Sequence, residues 1–195
     1  MKKKNINTKF LVELAVLTAL ELLLEITGFG YLHTGPLEFT IMQVPVIVSA
    51  IVLGPMAGLF LGTVFGLTSF LQCFGKSLFG ATLLGINPIA TFVTCVIPRA
   101  LMGLLCGLLF RWLGRQKESV LKCGVVGLSG ALLNTAFFMG LLVVFFRNTD
   151  YLLSMGSDNV LKFVVTMVGV QGVLEAVICC VVSGSVSYAL LKARK

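Results

Sequence analysis

The chain has 195 residues, 57% of them hydrophobic and only 12% charged, with a net charge of +7 and a mean hydropathy of +1.03. A soluble domain of that composition has too few polar side chains to cover its surface, so lipid must be part of the solvent. Hydrocarbon offers the backbone no hydrogen bonds, which leaves helices or a closed barrel, and long apolar runs without alternation select helices.

Six apolar segments run from Phe10 to Thr27, Phe39 to Leu53, Met56 to Phe74, Ile89 to Leu113, Val120 to Phe146 and Val160 to Leu191. They predict an all-α integral membrane protein with six transmembrane helices, and one transmembrane domain over residues 1–195 with nothing left for a second. Eleven of the fifteen basic residues precede the first segment (Lys2, Lys3, Lys4, Lys9), join the fourth to the fifth (Arg111, Arg115, Lys117, Lys122) or follow the sixth (Lys192, Arg194, Lys195). The positive-inside rule therefore places both termini in the cytoplasm, in a multi-pass protein of the cell membrane. Charges that flank helices in this way account for the net +7 without nucleic acid.

In the first segment Glu13, Glu21 and Glu25 interrupt the apolar run, which excludes a cleavable signal. Glu21 and Glu25, four apart, share a face toward the outer end. Ala15 and Ala19 form a small-residue stripe toward the inner one, suited to another helix of this protein or of a partner. The connections TGFGYLHTGPLE (Thr27 to Glu38) and CFGKSLFGATLLGINP (Cys73 to Pro88) are glycine-rich yet apolar, and read as lids over a pocket. The second segment is short and interrupted by Pro45. In the third, Gly54, Gly58, Gly62 and Gly66 recur every four residues, and Gly103 with Gly107 do so in the fourth, a pattern for close helix packing.

A charged side chain at the bilayer centre costs roughly 2.5–3.5 kcal/mol on insertion scales and asks for a partner or a purpose. Arg99 lies about ten residues into the fourth segment, roughly 15 Å deep at 1.5 Å per residue. Asn134 in the fifth segment and Gln171 and Glu175 in the sixth reach a similar depth, so four polar groups occupy one slab. Arg99 and Glu175 are either a structural ion pair or part of a binding site. The six cysteines lack metal-ligand spacing and the one histidine is His33, so no metal or cofactor is expected.

Ala15-x-x-x-Ala19, QVPVIVSAIVLGPMAGLFLGTVFGLTS from Gln43, NPIATF from Asn87, IPRALMG from Ile97 and NTAFFM from Asn134 together resemble the substrate-binding S components of energy-coupling-factor vitamin transporters, most closely the pantothenate type. The resemblance implies a subunit without catalysis that binds a vitamin from outside and topples to release it. Its partners are then a transmembrane coupling protein, which Ala15 and Ala19 would contact, and two cytoplasmic ATPases. Arg99 and Asn134 match positions expected to hold the substrate. A bidentate guanidinium suits the pantothenate carboxylate; Asn134 and Gln171 suit its amide and hydroxyls, Glu175 borders them, and Phe92 and Phe137 are candidate walls for its methyl groups. Biotin offers similar chemistry. A self-sufficient secondary carrier is a rival, although no inverted repeat is detectable. So is a rhomboid-like protease, because Gly127-Leu128-Ser129-Gly130 fits GxSG, but Ser129 and His33 lie at different depths and form no dyad.

Overall fold

A computed structural model of the protein describes residues 8–28, 30–33, 38–114, 119–149, 169 and 172–194. In chain order these form α1 (Thr8–Thr27), a hairpin of β1 (Tyr31–His33) and β2 (Glu38–Thr40), α2 (Gln43–Val52), α3 (Pro55–Gln72), α4 (Leu78–Ile86), α5 (Pro88–Trp112) and α6 (Val120–Phe146). The last helix, α7 (Gly172–Ala193), contains a π-helical turn over Cys179–Ser183. The architecture is helical, as expected, with one small antiparallel ribbon added. Gln171 and residues 160–168 of the sixth apolar segment lie outside the described residues.

Helices α3, α5, α6 and α7 are long and apolar enough to cross a membrane. Helix α1 has the length, at 20 residues, but carries Lys9, Glu13, Glu21 and Glu25. The second apolar segment divides: Phe39 and Thr40 belong to β2, and a helix of ten residues, all buried, begins at Gln43. Pro45 does not break it, because in the first turn of a helix the missing N–H would have had no intrahelical acceptor.

The connection from Cys73 to Pro88, read as a loop, contains α4. The Ser77 hydroxyl accepts from Gly80 N–H at 3.2 Å and caps it. Leu83 anchors it against Ala90, Leu142 and Phe146. Helix α5 starts one residue later: the Asn87 side chain accepts from Ala90 N–H at 3.1 Å, and Pro88 occupies the first position, where no N–H is needed.

The glycine pattern is packing between α3 and α5. A Cβ on Gly58 would lie 2.3 Å from the Gly103 carbonyl oxygen, one on Gly62 2.2 Å from that of Arg99, and one on Gly66 2.6 Å from Val96 Cα. Gly107 meets Pro55 in the same way, at 2.5 Å. Only hydrogen permits backbones this close, and the contact fixes an antiparallel register in which Gly62 sets the position of Arg99. Gly54 does something different: with φ of +107° it turns the chain between α2 and α3.

At the end opposite the hairpin, cations close the helix C-termini. Arg194 Nη1 donates to the Val52 carbonyl at 2.6 Å, and its Nη2 bonds the Glu13 carboxylate of α1. Lys122 Nζ donates to the carbonyls of Leu113 (2.9 Å) and Gly114 (3.1 Å) after α5. Each positive group meets carbonyls that have no partner within their own helix.

Candidate functional site

Pro98 determines what Arg99 does. It lacks the N–H that would have bonded the Thr94 carbonyl four residues earlier. The freed oxygen accepts from Arg99 Nη1 at 2.9 Å instead, so the buried guanidinium is folded back toward the hairpin end of α5. Two rings flank it: Arg99 Cζ lies 4.6 Å from the centroid of Phe138 and 5.5 Å from that of Phe65. Nη1 is thereby used, and Nε is buried without a hydrogen-bond partner among the described residues. The Nε–Nη2 edge is the one that forms a side-on fork with a carboxylate.

Arg99 and Glu175 are not an ion pair. Glu175 Oε1 accepts from the backbone N–H of Thr40 at 2.9 Å, and Oε2 accepts from Gln43 Nε2 at 3.1 Å. Gln43 is itself fully buried, and its Oε1 accepts from Cys179 Sγ at 3.7 Å. Asn134 is buried, and its Oδ1 has no partner among the described residues. It lies one turn before Phe138 on α6, so it shares a face with the ring that covers Arg99. Gln171 lies outside the described residues.

The rings over the Arg99 guanidinium are Phe65 and Phe138, and neither of the two phenylalanines expected as walls stacks on it. Phe92 is 40% exposed and meets Phe70 edge-on at 5.1 Å. Phe137 is half-buried, but Phe138 faces the guanidinium. Sequence reasoning missed Phe65, Phe138 and Gln43. The four-residue spacing from Asn134 to Phe138 was the available signal for one of them.

Glu25 and Glu21 have separate environments. Gln72 Nε2 donates to both Glu25 oxygens at 2.8 and 2.9 Å, and Lys76 Nζ lies 4.0 Å from Oε1. Glu21 is fully buried, and neither of its oxygens has a partner among the described residues. Ala15 and Ala19 lie on the exposed side of α1, beside Val12, Val16 and Leu23. An open apolar groove of about 670 Å³ between α5 and α6 is lined by Leu105, Leu108, Trp112, Ser129 and Leu132, with no contribution from Arg99. The Ser129 hydroxyl donates to its own helix, at the Val125 carbonyl (2.8 Å).

Several membrane-length apolar helices packed around buried polar side chains, some without a partner among the described residues, are the architecture of a multi-pass membrane protein. Residues 9–186 match the family described as "ECF transporter, substrate-specific component", and the chain belongs to that family. It is similar to the "Pantothenate transporter PanT" of Leuconostoc mesenteroides subsp. mesenteroides, with 30% identity over 183 residues covering 89% of this chain and 87% of the relative. The protein is therefore a multi-pass membrane protein of a transport system.

Proposed function

We propose that the protein binds pantothenate on the extracellular side and delivers it inward as the substrate-binding subunit of an ATP-driven importer. In this reading it is one transmembrane unit of six spans with cytoplasmic ends, working with a transmembrane coupling protein and two ATPase subunits. The observation that carries it is that, of the buried polar atoms without partners among the described residues, those of Glu21 on α1, Arg99 Nε on α5 and Asn134 Oδ1 on α6 suit one ligand, with Ser187 Oγ on α7 left aside. Native interiors seldom leave such atoms unsatisfied, and each one lost from water without a replacement costs free energy. A ligand with a carboxylate, an amide N–H and hydroxyl donors satisfies all three. The carboxylate takes the Nε–Nη2 fork of Arg99; the amide N–H donates to Asn134, and a hydroxyl to Glu21. Gln171 stands as a further contact. Phe65 and Phe138 give the gem-dimethyl group apolar walls, in place of Phe92 and Phe137. Both Glu175 oxygens are engaged by Thr40 N–H and Gln43 Nε2, and the guanidinium of Arg99 supplies the charge for an anionic ligand. The relative's name supports pantothenate among the vitamins.

The test is mass spectrometry of the ligand retained by purified protein, followed by uptake into vesicles. Pantothenate retained, with uptake requiring ATP and the added subunits, is the expected result. A different retained vitamin would reject the substrate, and ATP-independent uptake by the chain alone would reject the mechanism.

A further inference from the structure

We propose that Glu175 is a positioning residue, whose carboxylate fastens strand β2 and the start of α2 to α7 and so keeps the hairpin closed while substrate is held. Ile41 N–H bonds Gly30 O at 2.9 Å, within the ribbon. Alternate N–H groups of a strand point to opposite sides, so that of Thr40 projects from the free edge of β2. Glu175 Oε1 takes that edge donor at 2.9 Å, and Oε2 takes the Gln43 carboxamide at 3.1 Å. One side chain thus grips both ends of the segment from Thr40 to Gln43.

The grip extends in both directions. Gly30 N–H donates to Leu24 O at 3.0 Å, which attaches the hairpin base to the last turns of α1. The Gln43 carboxamide oxygen in turn accepts from Cys179 Sγ, one turn beyond Glu175 on α7. Glu175, Gln43 and Cys179 are 7%, 0% and 1% exposed, so these bonds are shielded from competing water. Carboxyl hydrogen bonds shielded from water in this way are costly to lose, because breaking them leaves Thr40 and Gln43 with unsatisfied buried donors. The hairpin joins α1 to α2, and the Arg99 guanidinium is turned toward that same end of the bundle. Release of the Glu175 grip therefore frees the part of the chain nearest the ligand without touching the groups that bind it. The ligand-retention part of this proposal rests on the pantothenate reading, whereas the grip itself does not.

Hydrogen exchange of the peptide spanning residues 38 to 44 reads the grip in ligand-free protein, and the dissociation rate of radiolabelled pantothenate reads its consequence. Glu175→Ala should raise both by at least about tenfold, the factor for one lost charge-assisted hydrogen bond. Gln43→Glu, which sets a second carboxylate against Glu175, should do the same. The exchanged pair Gln43→Glu with Glu175→Gln restores a carboxylate opposite an amide, and should return both rates to within about twofold of the original. Unchanged exchange in Glu175→Ala, or an exchanged pair no better than Gln43→Glu alone, overturns the proposal. Faster exchange with an unchanged dissociation rate makes Glu175 a structural staple and overturns its part in retention. If the original protein binds no pantothenate, the substrate reading fails while the exchange measurements still decide the grip.

Discussion

Replacing Arg99 separates a ligand anchor from a structural charge, because its two duties fall on different nitrogens. Nη1 is committed to the Thr94 carbonyl that Pro98 leaves free, while the Nε–Nη2 edge is the proposed fork for the ligand. Lys keeps the charge but forms one point contact where Arg forms two parallel bonds, and it changes the cation–ring contacts with Phe65 and Phe138. Loss of one charge-assisted hydrogen bond is worth about 1.5–3 kcal/mol, so Arg99→Lys should weaken pantothenate binding by roughly tenfold to 150-fold. Arg99→Ala removes one partner of a buried charged contact, about 2–5 kcal/mol, and should weaken it by roughly thirtyfold to several-thousandfold. The control is the alcohol corresponding to pantothenate, which has no carboxylate for the fork. Calorimetric titration of both ligands, after checking that each variant remains monodisperse, should show the alcohol binding weakly to the original and changing little on mutation. If acid and alcohol lose affinity by equal factors, Arg99 supports the fold and is not the carboxylate anchor.

Leu in place of Ala15 or Ala19, on the exposed side of α1, should abolish uptake in vesicles while leaving pantothenate affinity unchanged; affinity falling with uptake would make the stripe internal packing. Gly62→Ala should lower the thermal midpoint and weaken binding together, since its Cβ would lie 2.2 Å from the Arg99 carbonyl. Gly85→Ala on α4, where a Cβ meets nothing within 4 Å, should be neutral or stabilise by up to about 1 kcal/mol. Equal losses in these two variants would refute the close α3–α5 contact as the cause. A cysteine introduced at Ser119 should be labelled by an impermeant thiol reagent only from the cytoplasmic side; labelling on intact cells would reverse the topology.

The helices were legible where chemistry was one-dimensional. Long apolar runs defined α3, α5 and α6 to within a few residues, and the four-residue glycine spacing announced a close helix contact without saying which helix would fill it. Reading α4 as a loop followed from weighing glycines above the capping signal, since Ser77 sits three residues before the Gly80 N–H it caps. The hairpin was hidden because each strand has only three residues, too few to show alternation.

The polar interior was legible as a set of residues and illegible as a set of bonds. Depth along each segment brought Arg99, Asn134 and Glu175 to one level, but depth says nothing about the direction in which a side chain points. The obvious pairing joined the opposite charges of Arg99 and Glu175, yet among the described residues each is met by a carbonyl or by N–H donors instead. Arg99 took a carbonyl five residues away that Pro98 had released, a local event that the sequence Ile97-Pro98-Arg99 already encodes. Glu175 took donors 132 and 135 residues away, which only the packing of α2 against α7 could bring to it. In a low-dielectric interior a charge is stabilised by whatever dipoles are fixed around it, and the backbone supplies those wherever a helix is broken or a strand edge is free. A membrane chain can thus satisfy one buried charge completely and hold another with an edge still open. In the proposed reading the ligand takes the open one, whose Nε is unpartnered among the described residues and whose guanidinium lies over two aromatic rings.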